Sequence, residues 1–246
     1  MTYERLENLN GQVAVITGSN SGVGFSTASQ LAKAGAKIVG IVRRNVEEMQ
    51  VRLDTLGPGH RAMLADVTDS KQINEIASQL TQCDILVNNA GGYQKRIEHY
   101  NLNELTDELF DQVVKVNLYS TFYVTRAFMS LLKKSPYALV VNISSASSIR
   151  TGGSNIAYSA AKAGVDSMTR NLAKALAPIR LVSLNPSLMK SPNTTQPDAL
   201  YTHMATQFPL KRIVISEDVA SAVEALATTL RFVTGNNIVI DGGKIL

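Results

Sequence analysis

The chain has 246 residues, of which 45% are hydrophobic and 18% are charged, and this is ordinary for a globular protein with one large core. Its formal net charge is +4, and the 24 Lys and Arg residues are scattered without a basic run. Nucleic-acid binding is therefore not expected. A phosphate-bearing cofactor is a simpler reason for one or two basic residues in a site.

Cysteine, histidine and apolar runs exclude several other classes of protein. Cys83 is the single cysteine, so no intrachain disulfide can form, and the three histidines lie too far apart for a metal site. The first ten residues carry acids and amides where a signal peptide needs an apolar block. No apolar run is long enough to span a bilayer. We expect a cytoplasmic protein with no metal and no membrane segment.

Short β-rich runs alternate with helical patterns from one end of the chain to the other. Seven strands are predicted, at residues 12–17, 37–42, 61–64, 84–88, 138–143, 180–184 and 237–240. Continuous apolar strands separated by amphipathic helices indicate a mostly parallel sheet covered on both faces. The prediction is a doubly wound, Rossmann-like α/β fold in one domain over residues 1–246. Residues 187–209 are expected to form a mobile substrate lid, because long loops in compact domains are usually functional.

A glycine-rich turn follows the first predicted strand directly. It reads Thr17-Gly-Ser-Asn-Ser-Gly-Val-Gly24 and precedes a helical pattern that runs to about Lys33. Glycines let the backbone turn tightly and let a pyrophosphate approach the start of a helix, where free N–H groups and the helix dipole favour an anion. The turn therefore predicts a dinucleotide site, whose contact residues here are Gly18, Ser19, Asn20, Ser21, Gly22, Val23 and Gly24.

The Gly-x-x-x-Gly-x-Gly spacing of this turn resembles that of the short-chain dehydrogenase/reductase family. Further segments match the family in the same order, from about residue 11 to residue 243: Asp66, Asn88-Asn-Ala-Gly91, Asn117, 233–235 and 241–243. The resemblance implies further cofactor contacts at Asp66, Val67, Asn89, Ala90, Gly91, Pro186, Leu188 and Ser191. Asn88 is expected either to stabilise the sheet or to contact the cofactor, and the residues leave both open.

The end of the second predicted strand indicates which nicotinamide cofactor to expect. An acid there would bind the ribose 2′-hydroxyl of NAD, but the resemblance places Val42 at that position, followed by Arg43 and Arg44. An arginine fork suits a phosphate. We predict NADP(H) in preference to NAD(H), with Arg43 as the first candidate for the 2′-phosphate and Arg44 as the second. The alternative is that both arginines merely solvate a loop.

Tyr158 and Lys162 lie four residues apart in a predicted helix, so their side chains share a face. That spacing is common by itself. Ser145, however, precedes Tyr158 by thirteen residues, as in the family, and with Asn117 the four residues match the family's Asn-Ser-Tyr-Lys tetrad. Ser144 is the one rival for the role of the serine.

The chemistry of carbonyl reduction explains these residue types. A free tyrosine has a pKa of about 10, and a nearby Lys⁺ favours its phenolate. Tyr158 is therefore the predicted general acid in reduction and general base in oxidation, with Ser145 donating a hydrogen bond to the reacting oxygen. The resemblance implies that Tyr158 and Lys162 also contact the cofactor, Lys162 at the nicotinamide ribose, and that Asn117 anchors a water-linked proton path.

The predicted function is NADP(H)-dependent interconversion of a ketone and a secondary alcohol, as in a carbonyl reductase or alcohol dehydrogenase. Reduction of a 3-oxoacyl thioester in fatty-acid or polyketide metabolism is an alternative, and a non-catalytic NADP(H) redox sensor is an alternative of another class. An enoyl reductase is not favoured, because those relatives space Tyr and Lys more widely. The substrate pocket is predicted to be lined by residues 92–99, 149–155 and 187–209. The side chains of these segments do not indicate one class of substrate. The resemblance implies a homo-oligomer, a tetramer or dimer, acting on a small molecule.

Two departures from the family pattern concern the loop after the sixth strand. Pro186-Ser187 stands where the family usually has Pro-Gly, and Ser191 stands where a threonine often contacts the nicotinamide amide. Neither change removes a predicted catalytic group. Both concern the loop that would meet the nicotinamide.

Overall fold

A parallel sheet of seven strands in the order β3-β2-β1-β4-β5-β6-β7 forms the centre of the described molecule. The structure is a computed structural model that describes residues 3–92, 102–151, 155–190 and 197–246. The strands are β1 (Val13–Thr17), β2 (Lys37–Val42), β3 (Arg61–Leu64), β4 (Ile85–Asn88), β5 (Leu139–Ile143), β6 (Arg180–Pro186) and β7 (Asn237–Ile240). All seven predicted strands are confirmed, with bounds that differ by two residues at most.

Helices connect the strands and lie on both faces of the sheet. They are α1 (Gly22–Lys33), α2 (Val46–Asp54), α3 (Ser70–Ser78), α4 (Asp107–Val114), α5 (Ser120–Leu132), α6 (Ile156–Ala175), α7 (Asp198–Ala205) and α8 (Ser216–Thr228). A π-helical turn, Lys115–Tyr119, joins α4 to α5 without a break. The predicted doubly wound, single-domain fold is confirmed.

The alternation of side chains along the strands divides the core into two layers. Ala14 and Ile16 of β1 pack in one buried cluster together with Leu31 of α1 and Val223 of α8. Val15, between them, points to the opposite face and joins a second cluster that includes Phe128 of α5. Because consecutive strand residues point to opposite faces, a strand buried on both sides is apolar throughout, which is the pattern that the sequence shows.

The strand order places a crevice between β1 and β4. The chain runs outward from β1 to β3 and then returns to the other side of β1, so the connections after β1 and β4 leave in opposite directions. Ligands of open α/β sheets bind in such crevices, beyond the carboxyl ends of the strands. The glycine turn and the loop after β4 both lie at this edge of the sheet.

The segment predicted as a lid contains a helix, which the sequence analysis did not predict. Helix α7 lies within it, and Phe208 near its end is fully buried in the first core cluster. Residues 191–196 lie outside the described residues, so the predicted lid stays a prediction. Among the helices that the structure describes, none is long and apolar enough to cross a membrane.

Candidate active site

The glycine turn has a backbone conformation that glycine alone adopts without strain. Gly18 and Gly22 have φ values of +64° and +51°, in the left-handed region. A Cβ atom at Gly24 would lie 2.2 Å from the carbonyl oxygen of Gly18, so the start of α1 packs directly against the turn. Ser21 precedes α1, and its side chain makes no capping hydrogen bond. The first N–H groups of α1 are therefore not capped by that side chain, as an anion site at a helix start requires.

Thr17 and Asn89 join the two loops that border the crevice. The Thr17 hydroxyl accepts hydrogen bonds from the backbone N–H groups of Asn89 and Ala90, each at 3.0 Å. The Asn89 side-chain amide donates to the carbonyl groups of Thr17 and Gly18, each at 3.0 Å. The predicted contact residues Asn89 and Ala90 are thus held against the glycine turn.

Asn88 has a structural role in the described molecule. Its side-chain amide donates to Thr125 on α5 at 3.0 Å and to Asn142 on β5 at 2.8 Å. Asn142 in turn donates to Thr169 on α6 at 2.8 Å. This buried ladder of amides and hydroxyls ties β4 and β5 to the helices on one face, so the first of the two roles left open for Asn88 is the one its contacts support.

A cavity of about 390 Å³ lies beside the glycine turn, at the carboxyl end of β2. It is lined by Asn20, Ser21, Arg44, Asn45, Glu48, Met49 and Arg52. Both Arg43 and Arg44 are exposed, and of the two only Arg44 lines this cavity. The predicted preference for Arg43 over Arg44 is not tested by this placement.

Asp66 and the buried Val67 follow β3 at the same edge, where Asp66 accepts hydrogen bonds from Thr68.

Arg52 of α2 lies in this cavity and was missed by the sequence analysis. Its guanidinium donates a hydrogen bond to the carbonyl oxygen of Asn20 and lies 3.7 Å from the centre of the Phe25 ring. No other side-chain hydrogen bond of Arg52 is found in the described part of the chain, so most of its five N–H donors can serve a ligand. No local motif marks Arg52, because its partners lie about thirty residues earlier.

Asn117 occupies the π-helical turn between α4 and α5. Its side chain donates to the carbonyl oxygen of Gly92 at 2.7 Å and to that of Val113 at 2.9 Å, and it accepts from the N–H of Gly92 at 2.9 Å. A Cβ atom at Gly91 would lie 2.7 Å from Asn117 Oδ1 and 3.4 Å from Lys162 Nζ. The loop after β4 therefore approaches Asn117 more closely than a side chain at position 91 would allow, and it lies within van der Waals distance of Lys162.

Ser145 lies directly after β5 and begins a short 3₁₀ turn, Ala146–Ser148. Its hydroxyl oxygen accepts a hydrogen bond from the N–H of Ser147 at 3.1 Å, which leaves its proton as the group that it can donate. Ser144 is buried, and its hydroxyl donates to the carbonyl oxygen of Lys162 at 3.2 Å. The contacts of Ser144 are those of a structural residue. They favour Ser145 as the serine that would donate to the substrate oxygen.

Tyr158 and Lys162 lie on α6 as the sequence predicted. Asn155 caps the start of this helix by accepting a hydrogen bond from the N–H of Tyr158 at 2.8 Å. The Lys162 ammonium lies 5.6 Å from the centre of the Tyr158 ring and donates to the carbonyl oxygen of Ile143, at the end of β5, at 2.7 Å. These contacts fix the lysine between the phenol and the strand that precedes Ser145.

Burial perturbs the ionisation of Lys162. Only 4% of this residue is exposed, and loss of hydration lowers the pKa of its ammonium to about 8. The carboxylate of Asp166, one helical turn further along α6, acts in the opposite direction. A buried cation with a lowered pKa beside a phenol is typical of functional sites.

The loop after β6 completes the described site. Pro186 ends β6 in register with Ile240 of β7, and the N–H of Ser187 donates to the Ile240 carbonyl at 3.0 Å. Leu188 packs against the first core cluster. Ser191, the remaining predicted cofactor contact, lies outside the described residues, as do most of the predicted pocket-wall residues 92–99.

Known proteins resemble this chain over almost its whole length. The family model described as Enoyl-(Acyl carrier protein) reductase matches residues 18–244. The 3-oxoacyl-(acyl-carrier-protein) reductase FabG of Thermotoga maritima is 32% identical over 248 residues, which cover 97% of this chain and 99% of that protein. The FabG of Escherichia coli is 29% identical with the same coverage. Among solved structures, the RhlG/NADP active-site complex of Pseudomonas aeruginosa has a TM-score of 0.85 at 28% identity and covers 98% of each chain.

The chain belongs to the short-chain dehydrogenase/reductase family. The predicted family and its oxidoreductase class are thereby confirmed.

A nicotinamide dinucleotide fits this short-chain dehydrogenase/reductase on the evidence of its own residues. The start of α1 is not capped by the Ser21 side chain, and the buried hydroxyl of Ser19 has no hydrogen-bond partner among the described residues. The cavity at the end of β2 presents two arginines. The ends of β1, β4 and β5 thus bring the glycine turn, Asn117, Ser145, Tyr158 and Lys162 to one edge of the sheet.

Proposed function

We propose that this short-chain dehydrogenase/reductase interconverts a ketone and a secondary alcohol with NADP(H), with Tyr158 as the acid and base. The observation that carries the proposal is the placement of the buried Lys162 ammonium, 5.6 Å from the Tyr158 ring and bonded to the end of β5, which leads directly to Ser145. Three groups needed for proton transfer to a carbonyl oxygen therefore lie together at the carboxyl edge of the sheet.

Each residue has a distinct role in the proposed reaction. The nicotinamide, when bound, supplies the hydride in reduction and accepts it in oxidation. Tyr158 donates its proton to the substrate oxygen in reduction and removes it in oxidation. Ser145 donates a hydrogen bond to that oxygen as negative charge develops. The positive charge of Lys162 favours the phenolate of Tyr158, and Asn117 holds the loop after β4 beside them.

NADP(H) is the proposed cofactor, in preference to NAD(H). The end of β2 carries no acid, and Arg44 and Arg52 line the cavity beside it, with Arg43 adjacent in sequence. The RhlG structure, solved with NADP, is similar over nearly the whole chain. Tyr158, Lys162 and the described loop residues predicted above, together with Ser191, are proposed as its further contacts. Glu48 also lines the cavity, so a binding comparison of NADPH with NADH is needed.

A 3-oxoacyl thioester is the second candidate substrate. It is favoured by two FabG relatives that are named for this activity and match 97% of the chain. The matching family model is described as an enoyl reductase, whereas the four-residue spacing of Tyr158 and Lys162 favours carbonyl reduction. An enoyl thioester therefore belongs in the substrate panel as the discriminating compound.

The oligomeric state and the lid are also proposed. Tyr119 and Phe122, in the helical segment that leads into and through α5, are 50% and 42% exposed, and burial between copies would remove this apolar surface from water. We propose a cytoplasmic homo-oligomer, a tetramer or dimer, whose single domain closes over its substrate with residues 187–209. Light scattering of the purified protein measures the oligomeric state.

The test of the proposed function is a substrate panel followed by nicotinamide absorbance, with NADPH and NADH as alternative reductants. Free ketones, 3-oxoacyl thioesters and an enoyl thioester are compared. Turnover of a ketone or 3-oxoacyl compound with NADPH, lost by at least about a hundredfold in Tyr158→Phe while NADPH still binds, is the expected result. Tight NADPH binding without turnover of any compound would favour the redox sensor. An unchanged NADPH-to-NADH ratio in Arg43→Ala would exclude Arg43 as the residue that reads the phosphate.

A further inference from the structure

Asp166 is a buried acid that the proposed reaction does not use. It lies on α6 four residues after Lys162 and eight after Tyr158, on the same face of the helix, and only 3% of it is exposed. Salt bridges in the described part of the chain do not involve it. A carboxylate without a counter-ion at 4 Å is costly to bury, so its surroundings must stabilise it in another way.

Two donors converge on one oxygen of this carboxylate. The hydroxyl of Ser148 lies 2.5 Å from Asp166 Oδ2, and the side-chain amide of Asn185 donates to the same atom at 2.7 Å. Asn185 is fully buried on β6, and Ser148 ends the turn that begins at Ser145. Both donors serve Oδ2, while Oδ1 is buried and has no hydrogen-bond partner among the described residues. An oxygen that accepts from two donors is the kind of acceptor that a carboxylate provides.

The same two partners also hold the backbone of Ser145. The Asn185 amide lies 3.2 Å from the Ser145 carbonyl oxygen, and the Ser148 hydroxyl lies 2.7 Å from it. Asp166 therefore stands at the centre of a network that connects β6 to the turn carrying the proposed catalytic serine. A shift of Asp166 would be transmitted to Ser145 through Asn185, whose amide has two protons and can donate to both residues at once, whereas Ser148 has one hydroxyl proton for two acceptors.

The charge of Asp166 acts on Lys162 as well. The groups that face the ammonium are the Tyr158 ring and Asp166 on α6, the Ile143 carbonyl on β5, and the Asn117 side chain across Gly91. Of these, Asp166 is the acidic side chain. Because the desolvated ammonium has no carboxylate within salt-bridge distance in the described residues, a negative charge one helical turn away is its available compensation.

We propose that Asp166 is a positioning residue of this site: its buried carboxylate is the counter-charge of Lys162 and anchors, through Ser148 and Asn185, the turn that carries Ser145. The inference rests on the proposed function, since it concerns the charge of Lys162 and the position of Ser145. A purely structural role would require the hydrogen bonds alone, whereas this proposal requires the charge.

Asp166→Asn keeps the size of the side chain and removes the charge. Ser148→Ala keeps the charge and removes the hydroxyl that contacts Asp166, Ser145 and Asn185. Asp111→Asn is the matched control, since it removes one charge at an exposed position of α4. The pKa of Lys162 is measured in the protein without cofactor, by NMR of side-chain-labelled lysine, with the signal identified by its absence in Lys162→Met. Loss of a unit charge roughly 6 Å away, at an effective dielectric constant of about 20, lowers such a pKa by about one to two units.

The expected result is that Asp166→Asn lowers the pKa of Lys162 by at least about one unit, while Asp111→Asn and Ser148→Ala leave it nearly unchanged. Equal behaviour of Asp166→Asn and Ser148→Ala would overturn the proposal in favour of a hydrogen-bonding role. If Asp166→Asn does not fold, the carboxyl carbon of Asp166 in the wild-type protein decides: an ionised signal at neutral pH supports the proposal, and a protonated one overturns it.

Kinetics separate this inference from the proposed function. With an active wild-type enzyme, the pH above which kcat falls should move downward in Asp166→Asn by about the shift of the lysine, with a smaller change in KM for NADPH. An unmoved profile would overturn the inference and leave the proposed function standing. A wild-type protein without turnover would overturn the proposed function, while the lysine titration would still decide the charge relation between Asp166 and Lys162.

Discussion

Replacing Lys162 by methionine should inactivate the protein and make it more stable. Burial lowers the pKa of Lys162 from 10.5 to about 8, and this difference measures how much the folded state disfavours the ammonium. At 1.36 kcal/mol for each pKa unit, the charged lysine destabilises the fold by about 3 kcal/mol at neutral pH. Methionine fills a similar volume without a charge. The variant also loses the hydrogen bond to the Ile143 carbonyl, at 2.7 Å, which destabilises it by about 1 kcal/mol. The free energy of unfolding is therefore expected to rise by about 2 kcal/mol.

The pH dependence of this gain tests its origin. Below pH 8 the lysine is protonated in both the folded and the unfolded chain, and the full penalty is present. Between about 8 and 10.5 the folded protein loses the proton while the unfolded chain keeps it, so the wild type gains stability with rising pH relative to the variant. The advantage of Lys162→Met should therefore shrink across this interval and be gone at its upper end.

Urea unfolding at neutral pH and at the upper end of that interval measures both quantities. Lys174→Met is the matched control, because Lys174 is an exposed lysine on the same helix. It should show no comparable gain at either pH. If Lys162→Met is no more stable than the wild type at neutral pH, or if its advantage does not shrink as the pH rises, burial of the ammonium is not the reason for its lowered pKa.

Three further changes test other parts of the site. Gly24→Ala would place a Cβ atom 2.2 Å from the Gly18 carbonyl oxygen, so thermal unfolding should show that the protein loses about 1–3 kcal/mol of stability. NADPH should no longer stabilise this variant; stabilisation as in the wild type would contradict the role of the turn in cofactor binding. Asn88→Ala would leave its buried partners unpaired and should lower the free energy of unfolding in urea by about 1–3 kcal/mol, with the affinity for NADPH unchanged. A loss of NADPH affinity without a loss of stability would instead indicate a cofactor contact. Arg52→Met should weaken calorimetric binding of adenosine 2′,5′-bisphosphate by about tenfold or more and leave 5′-AMP unaffected, since charge-assisted hydrogen bonds contribute about 1.5–3 kcal/mol. An equal loss for both ligands would mean that Arg52 acts only on the turn through Asn20.

The sequence by itself predicted the architecture and much of the candidate site. Buried parallel strands are apolar on both faces, so each one appears as a short continuous run, and all seven were found. The glycine turn and the Tyr158–Lys162 pair are local features: one depends on backbone angles and the other on helical periodicity. Local features survive in a single sequence, because the residues that define them are neighbours along the chain.

The ends of strands and helices, and the choice between neighbouring candidate residues, were predicted less well from the sequence. The sixth strand is predicted at residues 180–184, yet β6 continues through Pro186 because Asn185 and Pro186 pair with β7. The prolines and small polar residues of the segment 187–209 predict a loop, whereas the structure has helix α7 within it. Ser144 and Ser145 could not be separated by spacing. Their hydrogen bonds separate them, because the Ser144 hydroxyl donates to the Lys162 carbonyl, whereas the Ser145 hydroxyl accepts from the N–H of Ser147 and keeps its proton for donation.

The roles of Arg52 and Asp166 depend on tertiary contacts alone. Arg52 reaches the glycine turn because α2 packs beside it, and Asp166 meets Asn185 because β6 lies next to the turn that carries Ser145. Likewise, the role of Asn88 depends on β4 lying in register with β5, which places it opposite Asn142. These contacts join residues that are 19 or more positions apart. They arise from the packing of elements, which residue spacing along one chain does not record.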